Sequence, residues 1–267
     1  MRIDSPAVTA PPPVLRFWRA LDERLATVRP TRWGAVVTDA RFPLIWDANY
    51  ARLDADLTGL TVAEVERELV PTLRTAGAEI EHVVVFDPEA ATGVLTELST
   101  RGHRLSWDLV MAWDGRAAQL PRATERVRPI ALGEAAWRDI RASLTGPFGI
   151  EEGEPIEQMM RLEREVLAPA GKRWFGIRHD DRWVSVAAAF VLDAVAYVDN
   201  VATDEAFRGR GYATEITAAI VDHALREGVE TVFLLADPED RGAVGIYERL
   251  GFREVARLAS TRGPLPR

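Results

Sequence analysis

The chain has 267 residues, room for two domains of ordinary size, and its 47% hydrophobic and 28% charged residues are those of a folded globular protein. A net charge of −8 offers no basic track for a phosphate backbone, which argues against nucleic acid as a partner and favours cationic ones. The absence of cysteine excludes disulfide frameworks, thiolate metal sites and an acyl-cysteine intermediate.

Residues 1–13 are small and proline-rich, ending in Pro11-Pro12-Pro13, and predict a flexible, extended tail. They lack the basic start and apolar core of a leader, and no apolar run approaches the ~18 residues of a membrane span. The longest run, Val184 to Val198, is broken by Asp193, so no membrane association and a cytoplasmic location are expected. From Val14 the pattern alternates: a helix over Leu15–Val28, a strand at Trp33–Thr38, a strand near Pro43–Leu53 and a helix at Val62–Ala76. A strand at Glu81–Phe86, a helix over Glu89–Arg101 stopped by Gly102, and a strand at Leu105–Trp113 complete a mixed α/β unit, residues 14–113.

Residues 114–126 have no periodicity and read as a linker. A second α/β pattern follows over residues 127–267: a short strand Val127–Pro129, a helix Leu132–Leu144 ending before Gly146-Pro147, an acidic loop with Glu151, Glu152 and Glu154, and a helix Pro155–Leu167. Strands at Lys172–Arg178 and Trp183–Leu192 flank the turn His179-Asp180-Asp181, and a third strand runs over Ala194–Thr203. Tyr212–Glu227 is an amphipathic helix, apolar at Ala213, Ile216, Ile220, Ala224 and Leu225, with Gly228 as its stop. Thr231–Ala236 is a buried strand, and Asp237-Pro238 predicts a helix start running to Leu250, with Gly251 after it.

Between Thr203 and Tyr212 lies Asp204-Glu205-Ala206-Phe207-Arg208-Gly209-Arg210-Gly211. A glycine-bearing loop that leads from a strand into a helix leaves amides converging on one point, where the helix dipole adds positive potential. That is an anion site: Gly209 and Gly211 admit a pyrophosphate close to the backbone, Arg208 and Arg210 add charge, and Thr214 adds a hydroxyl in the first turn. A Walker loop would need lysine and serine or threonine after Gly211, where Tyr212 and Ala213 stand. A dinucleotide fingerprint would need a small residue where Thr214 stands, in a βαβ unit that opens the domain.

Arg208-x-x-Gly211-x-Ala213 resembles the acetyl-CoA signature of the GNAT acetyltransferase superfamily. The segment from Asp240 to Phe252, with Tyr247, Leu250, Gly251 and Phe252, is similar to that family's later motif. The resemblance spans about residues 127–258. It implies a mixed sheet whose strands splay after the one ending near Thr203, with acetyl-CoA in the cleft, its pyrophosphate on Arg208, Gly209, Arg210, Gly211, Tyr212, Ala213 and Thr214, and Val201, Ala202 and Thr203 beside its pantetheine arm. Asp240 stands where the family has asparagine; an ionised aspartate cannot donate a hydrogen bond, so either it contacts the cofactor differently or it is a helix-start carboxylate.

The implied activity is direct attack by a primary amine of a small molecule or peptide on the thioester. Tyr247 resembles the family's general acid, the Val201 N–H is the natural oxyanion donor, and Asp199, two residues before Val201 and so on the same strand face as it and Tyr197, is the candidate base. Substrate anchoring or solvation are the alternatives for Asp199. The acidic residues Glu151, Glu152 and Glu154 either attract an ammonium group or form a solvated loop. The four histidines, His82, His103, His179 and His223, show no metal spacing, so no metal site is expected. Residues 14–113 lack the loop motif, yet their order of elements parallels part of a GNAT unit, which implies a degenerate, cofactor-free GNAT-like domain. A non-catalytic acyl-CoA sensor, with this first domain engaging a partner, is the alternative function.

Overall fold

The computed structural model describes residues 9–24, 26–115, 120, 125–145, 150 and 152–266. Most of the expected tail and linker, Gly146-Pro147 and Glu151 therefore lie outside the described residues. The chain forms two compact units, residues 1–110 with 254–267, and residues 111–253.

In the first unit, β1 (Thr27–Thr31), β2 (Gly34–Thr38) and β3 (Tyr50–Leu53) form an antiparallel meander. Helix α2 (Val62–Ala76) then crosses to β4 (Ile80–Val85), which lies parallel to β3 with Ala51 opposite Val83. Helices α1 (Pro12–Asp22) and α3 (Thr92–Thr100) and strand β5 (Arg104–Trp113) complete the local elements. Helix α2 forms because Val62, Val65, Leu69 and Leu73 repeat at three- and four-residue intervals, and this stripe packs on Val36, Leu53, Val83 and Val85. Each such side chain removed from water contributes roughly 1.5–3 kcal/mol. The helix caps itself: the Thr61 hydroxyl accepts the Glu64 N–H at 3.3 Å, and Gly77 closes the other end at φ 78°.

Three expectations for this half are corrected. The first helix stops at Asp22, and Thr27–Thr31 is instead a strand; Pro30, which cannot donate, is accommodated because β1 lies at the end of the strand order with β2 as its neighbour. Residues 43–53 are extended only from Tyr50, since Trp46–Ala48 form a 3-10 turn. The buried Asn49 holds that loop, donating to the carbonyls of Phe42 (2.8 Å) and Ile45 (2.9 Å) and accepting the Asp39 N–H (3.0 Å). The neighbouring Tyr50 is tied down as well, its hydroxyl donating to Asp22 at 2.6 Å. Finally, the C-terminal residues, grouped in sequence with the second domain, form β11 (Phe252–Pro264). Its residues Ala259–Pro264 pair antiparallel with Val85–Ile80 of β4, and Glu254 onward belongs to the first unit.

The second unit contains β6 (Val127–Pro129), α4 (Glu134–Thr145), α5 (Glu154–Leu162) running on into a π turn at Glu163–Leu167, β7 (Arg173–His179), β8 (Arg182–Leu192) and β9 (Val195–Thr203). These four strands are antiparallel in sequence order. Helix α6 (Tyr212–Arg226) then crosses to β10 (Thr231–Ala236), parallel to β9, and α7 (Arg241–Arg249) follows. The buried face of α6 is Ile216, Ile220, Val221 and Ala224, whereas Leu225, expected on it, is exposed. Helix α7 starts later than Asp237: that carboxylate accepts the Glu239 N–H (2.7 Å) in a turn, and Asp240 caps the helix by accepting the Ala243 N–H (2.9 Å). Strand, crossover helix and parallel strand thus occur once in each unit, as β3-α2-β4 and as β9-α6-β10.

Candidate functional site

The loop before α6 is built from local backbone chemistry. Gly209 and Gly211 sit at φ 73° and 79°, a region that favours glycine, and Gly211 is the N-cap of a 15-residue helix yet supplies no side chain to cap it. The first helical bond is Glu215 N–H to Gly211 carbonyl at 3.0 Å, and none of the amides from Gly209 to Thr214 finds a partner among the described residues. Orphan amides at the positive end of a helix dipole attract an anion. Arg208 is tethered through Nε to the Thr203 carbonyl (3.3 Å), and the Arg210 guanidinium lies 5.1 Å from the Phe207 ring, both side chains otherwise exposed. A third arginine escaped the sequence reading: Arg126, in the supposed linker, bonds Glu215 at 2.6 Å and lies 5.7 Å from the Tyr212 ring. The only available signal was its position just before β6; its proximity to α6 depends on the fold.

Strand β9 leads into this loop and departs from its neighbours on both sides. Its parallel register with β10 covers Val195 to Val198 only, so the two strands part before Asp199, and the splay lies beside the strand that ends at Thr203, as expected. Against β8, Ala188 faces Asp199 and Val186 faces Ala202, so the register slips by one residue and neither Asn200 nor Val201 has a ladder partner. Asn200 takes φ 52° at this bulge. The extra residue breaks the period of two: Asp199 shares its face with Ala202, in the core beside Trp174 and Ala188, and the expectation that Asp199 and Val201 share a face fails for that reason.

Lys172 was not singled out from the sequence. Its buried ammonium donates to Glu163 Oε1 (2.6 Å), Asp199 Oδ2 (2.8 Å) and Asn200 Oδ1 (2.8 Å), while Glu163 Oε2 accepts the Trp174 indole N–H (3.3 Å). Burial alone would lower the lysine pKa, but the Asp199 and Glu163 carboxylates outweigh it and raise it. Burial raises the pKa of Glu163 in turn, against the pull of Lys172. The other oxygen of Asp199 accepts the Asn200 N–H at 2.8 Å, so both are engaged.

Tyr247, on α7, is buried, and its ring meets Phe252 edge-on at 6.1 Å. Burial, then the charges of Asp240 and Asp199, push its pKa up to about 12. Asp240 serves as the helix cap described above. Of the acidic loop, Glu152 is paired with Arg141 (2.6 Å), which also bonds Glu157, and Glu154 accepts from Gln158 (3.1 Å). A cavity of about 340 Å³ opens on the α4 side of the β8 and β9 ends, lined by Asp139, Ser143, Arg182, Ser185, Asp204 and Arg208 among others. Among the described residues no group of three or more His, Asp or Glu is arranged to hold a metal, and no helix is long and apolar enough to cross a membrane.

Residues 135–252 match the model of the Acetyltransferase (GNAT) family. The [ribosomal protein bS18]-alanine N-acetyltransferase of Salmonella typhimurium is 29% identical over 95 residues, 35% of this chain and 64% of that protein. Across the first three curated relatives, the chain spans from 26% to 64% of their length. A conserved protein of unknown function from Staphylococcus epidermidis has a similar fold, with TM-score 0.71 and 13% identity over 90% of this chain and 94% of that one. So does a GCN5-related N-acetyltransferase from Kribbella flavida, with TM-score 0.62 and 21% identity over 94% of this chain and 95% of its own. At these identities the two structures speak for the fold alone, and they cover both units. The match to the Acetyltransferase (GNAT) family lies within the second unit, which carries the uncapped loop before α6 and the parted strands β9 and β10, and it covers less than half of the chain.

Proposed function

We propose that the second unit binds acetyl-CoA and transfers its acetyl group to a primary amine of a small molecule or peptide by direct attack. The observation that carries this is the row of unpartnered amides from Gly209 to Thr214, with Arg208, Arg210 and Arg126 around them, next to a stretch of β9 without ladder partners. This donor set fits a diphosphate, and the unpaired edge beyond Val198 fits an amide-bearing arm, for which Val201, Ala202 and Thr203 are the backbone partners. When bound, acetyl-CoA supplies an activated acyl carbon and a thiolate leaving group.

The chain's own residues then have distinct tasks. The Val201 N–H, at the bulge, would donate to the thioester carbonyl oxygen and stabilise the negative charge that develops there as the amine adds. Tyr247 would give its proton to the sulfur as the oxygen pair re-forms C=O and the C–S pair leaves on sulfur. Its raised pKa keeps it protonated near neutral pH, although transfer to a free alkyl thiolate, whose conjugate acid lies near ~8.5, is uphill, so the proton must move with bond cleavage. Asp199, turned to the other face of β9 from Val201 and bonded at both oxygens, accepts the amine proton only through an intervening water. Cofactor binding is assigned to the second unit alone, since the equivalent helix α2 of the first unit closes its own N-terminus with Thr61. The first unit is then a GNAT-like domain without a diphosphate cradle.

Calorimetric titration of the intact protein with CoA, followed by a thiol-release screen over polyamines, amino acids, aminoglycosides and peptides, tests this. CoA binding with turnover on one acceptor class is the expected result. Binding without turnover on any acceptor would favour a non-catalytic acyl-CoA sensor, and no binding would overturn the assignment of the loop.

A further inference from the structure

We propose that Lys172 is a positioning residue that holds the β9 bulge in its active shape, so that the oxyanion donor at Val201 is set by a buried ammonium from the residue just before β7. This inference rests on the acetyltransferase function proposed above. An ammonium has three protons, and Lys172 directs all three: one to Glu163 in the π turn, and the other two to Asp199 and Asn200, the two residues immediately before Val201. The lysine side chain is only 3% exposed, so these bonds are not shared with bulk water. Glu163 is fixed in turn by the Trp174 indole.

The bulge needs such a hold. Asn200 stands at φ 52°, a conformation that side chains other than glycine take reluctantly, and neither β8 nor β10 offers Asn200 or Val201 a register partner. Without the ammonium, Asn200 loses the bond that rewards its left-handed conformation and Asp199 loses its cation. The strand then relaxes toward ordinary extended geometry, and the Val201 amide swings away from the carbonyl it polarises. The π turn, a distortion of the helix that ends α5, places Glu163 where it can anchor the ammonium from behind.

The test separates this hold from general stability. Asn200→Ala removes the Lys172 contact and leaves a Cβ at positive φ, whereas Asn200→Gly removes the same contact but tolerates that φ. Lys172→Met with Glu163→Gln removes both fully buried charges together, leaving Asp199 partly solvated, and adding Asn200→Gly to this pair supplies the rescue. Two readouts are taken on folded protein: turnover in thiol release, and the affinity of acetonyl-CoA, a ketone thioether that cannot lose its acyl group, relative to CoA. Expected are a loss of kcat of tenfold or more in Asn200→Ala and in the double variant, CoA affinity within about threefold of the parent, and loss of the preference for acetonyl-CoA over CoA. Asn200→Gly alone should stay within about threefold of the parent, and should restore most of the double variant's loss. Equal effects of Asn200→Ala and Asn200→Gly, or a double variant with parental kcat and ligand preference, overturn the proposal while leaving the acetyltransferase function standing. Failure of the parent protein to bind CoA overturns that function and this inference with it. If the double variant does not fold, Lys172→Arg, which keeps the buried charge but not the three-way ammonium geometry, is measured with and without Asn200→Gly, and the same loss and rescue decide.

Discussion

Gly211→Ala tests the anion loop at its narrowest point. A Cβ placed on Gly211 meets nothing within 4 Å, so steric overlap within the protein plays no part, and the whole effect comes from φ 79°. Holding an L-residue there costs about 1–2 kcal/mol. That cost has two places to appear. If the loop keeps its shape, stability falls, and Tm drops by roughly 2–8 °C for a chain of this size. If the loop relaxes to negative φ, the amides of Tyr212 and Ala213 turn from the diphosphate, and CoA affinity falls by roughly 5–30-fold instead. Thermal unfolding and CoA calorimetry on the same samples should therefore show losses that together reach about 1–2 kcal/mol. Asn, which visits this region more readily, should recover part of the loss in Gly211→Asn. A Gly211→Ala protein with parental Tm and parental CoA affinity would refute both the conformational requirement and the role given to the loop.

Tyr247→Phe should lower kcat by about 10²-fold or more while CoA affinity stays nearly unchanged. Because burial and the two aspartates push the Tyr247 pKa up to about 12, the acid stays protonated below that value, and kcat of the parent should show no falling limb due to Tyr247 up to about pH 10. A limb near pH 9 that vanishes in Tyr247→Phe would contradict this. Glu81, in β4 of the first unit, is fully buried, and neither carboxyl oxygen has a hydrogen-bond partner among the described residues. Burial, then the charge of Glu66, moves its pKa from 4.5 to about 7. A folded-state pKa above the unfolded one means that the protonated form favours folding: this contribution is full below pH 4.5 and is lost as pH rises through 7, a change on the order of 3 kcal/mol. The urea midpoint of the parent should accordingly fall between pH 5 and 8, and Glu81→Gln should flatten that dependence; identical profiles for the two proteins would refute it.

The features read correctly from the chain are those whose cause is local. Helix α2 over Val62–Ala76 and strand β10 over Thr231–Ala236 follow from apolar spacing within a single element, and the loop at Arg208–Gly211 from the identity of residues adjacent in sequence. The reading failed where a local signal was outweighed by distant partners. A helix seemed to continue past Asp22 because nothing nearby stops it, yet residues 27–31 find β2 beside them. Asp237-Pro238 carries the residues of a helix start, but Asp240 takes that part three residues later.

What the sequence alone determined is the backbone form of the loop, two glycines at positive φ leading into a helix, and the kind of fold that carries it, since the residues that set the loop lie within a span of four. What only the tertiary structure decided is the shape of β9: the residue at which it leaves β10, the bulge at Asn200 and its tie to Lys172, and likewise the pairing of β11 with β4. The alternation of side chains along a strand assumes an unbroken ladder, and whether the ladder breaks depends on partners supplied by other segments, which no local pattern encodes.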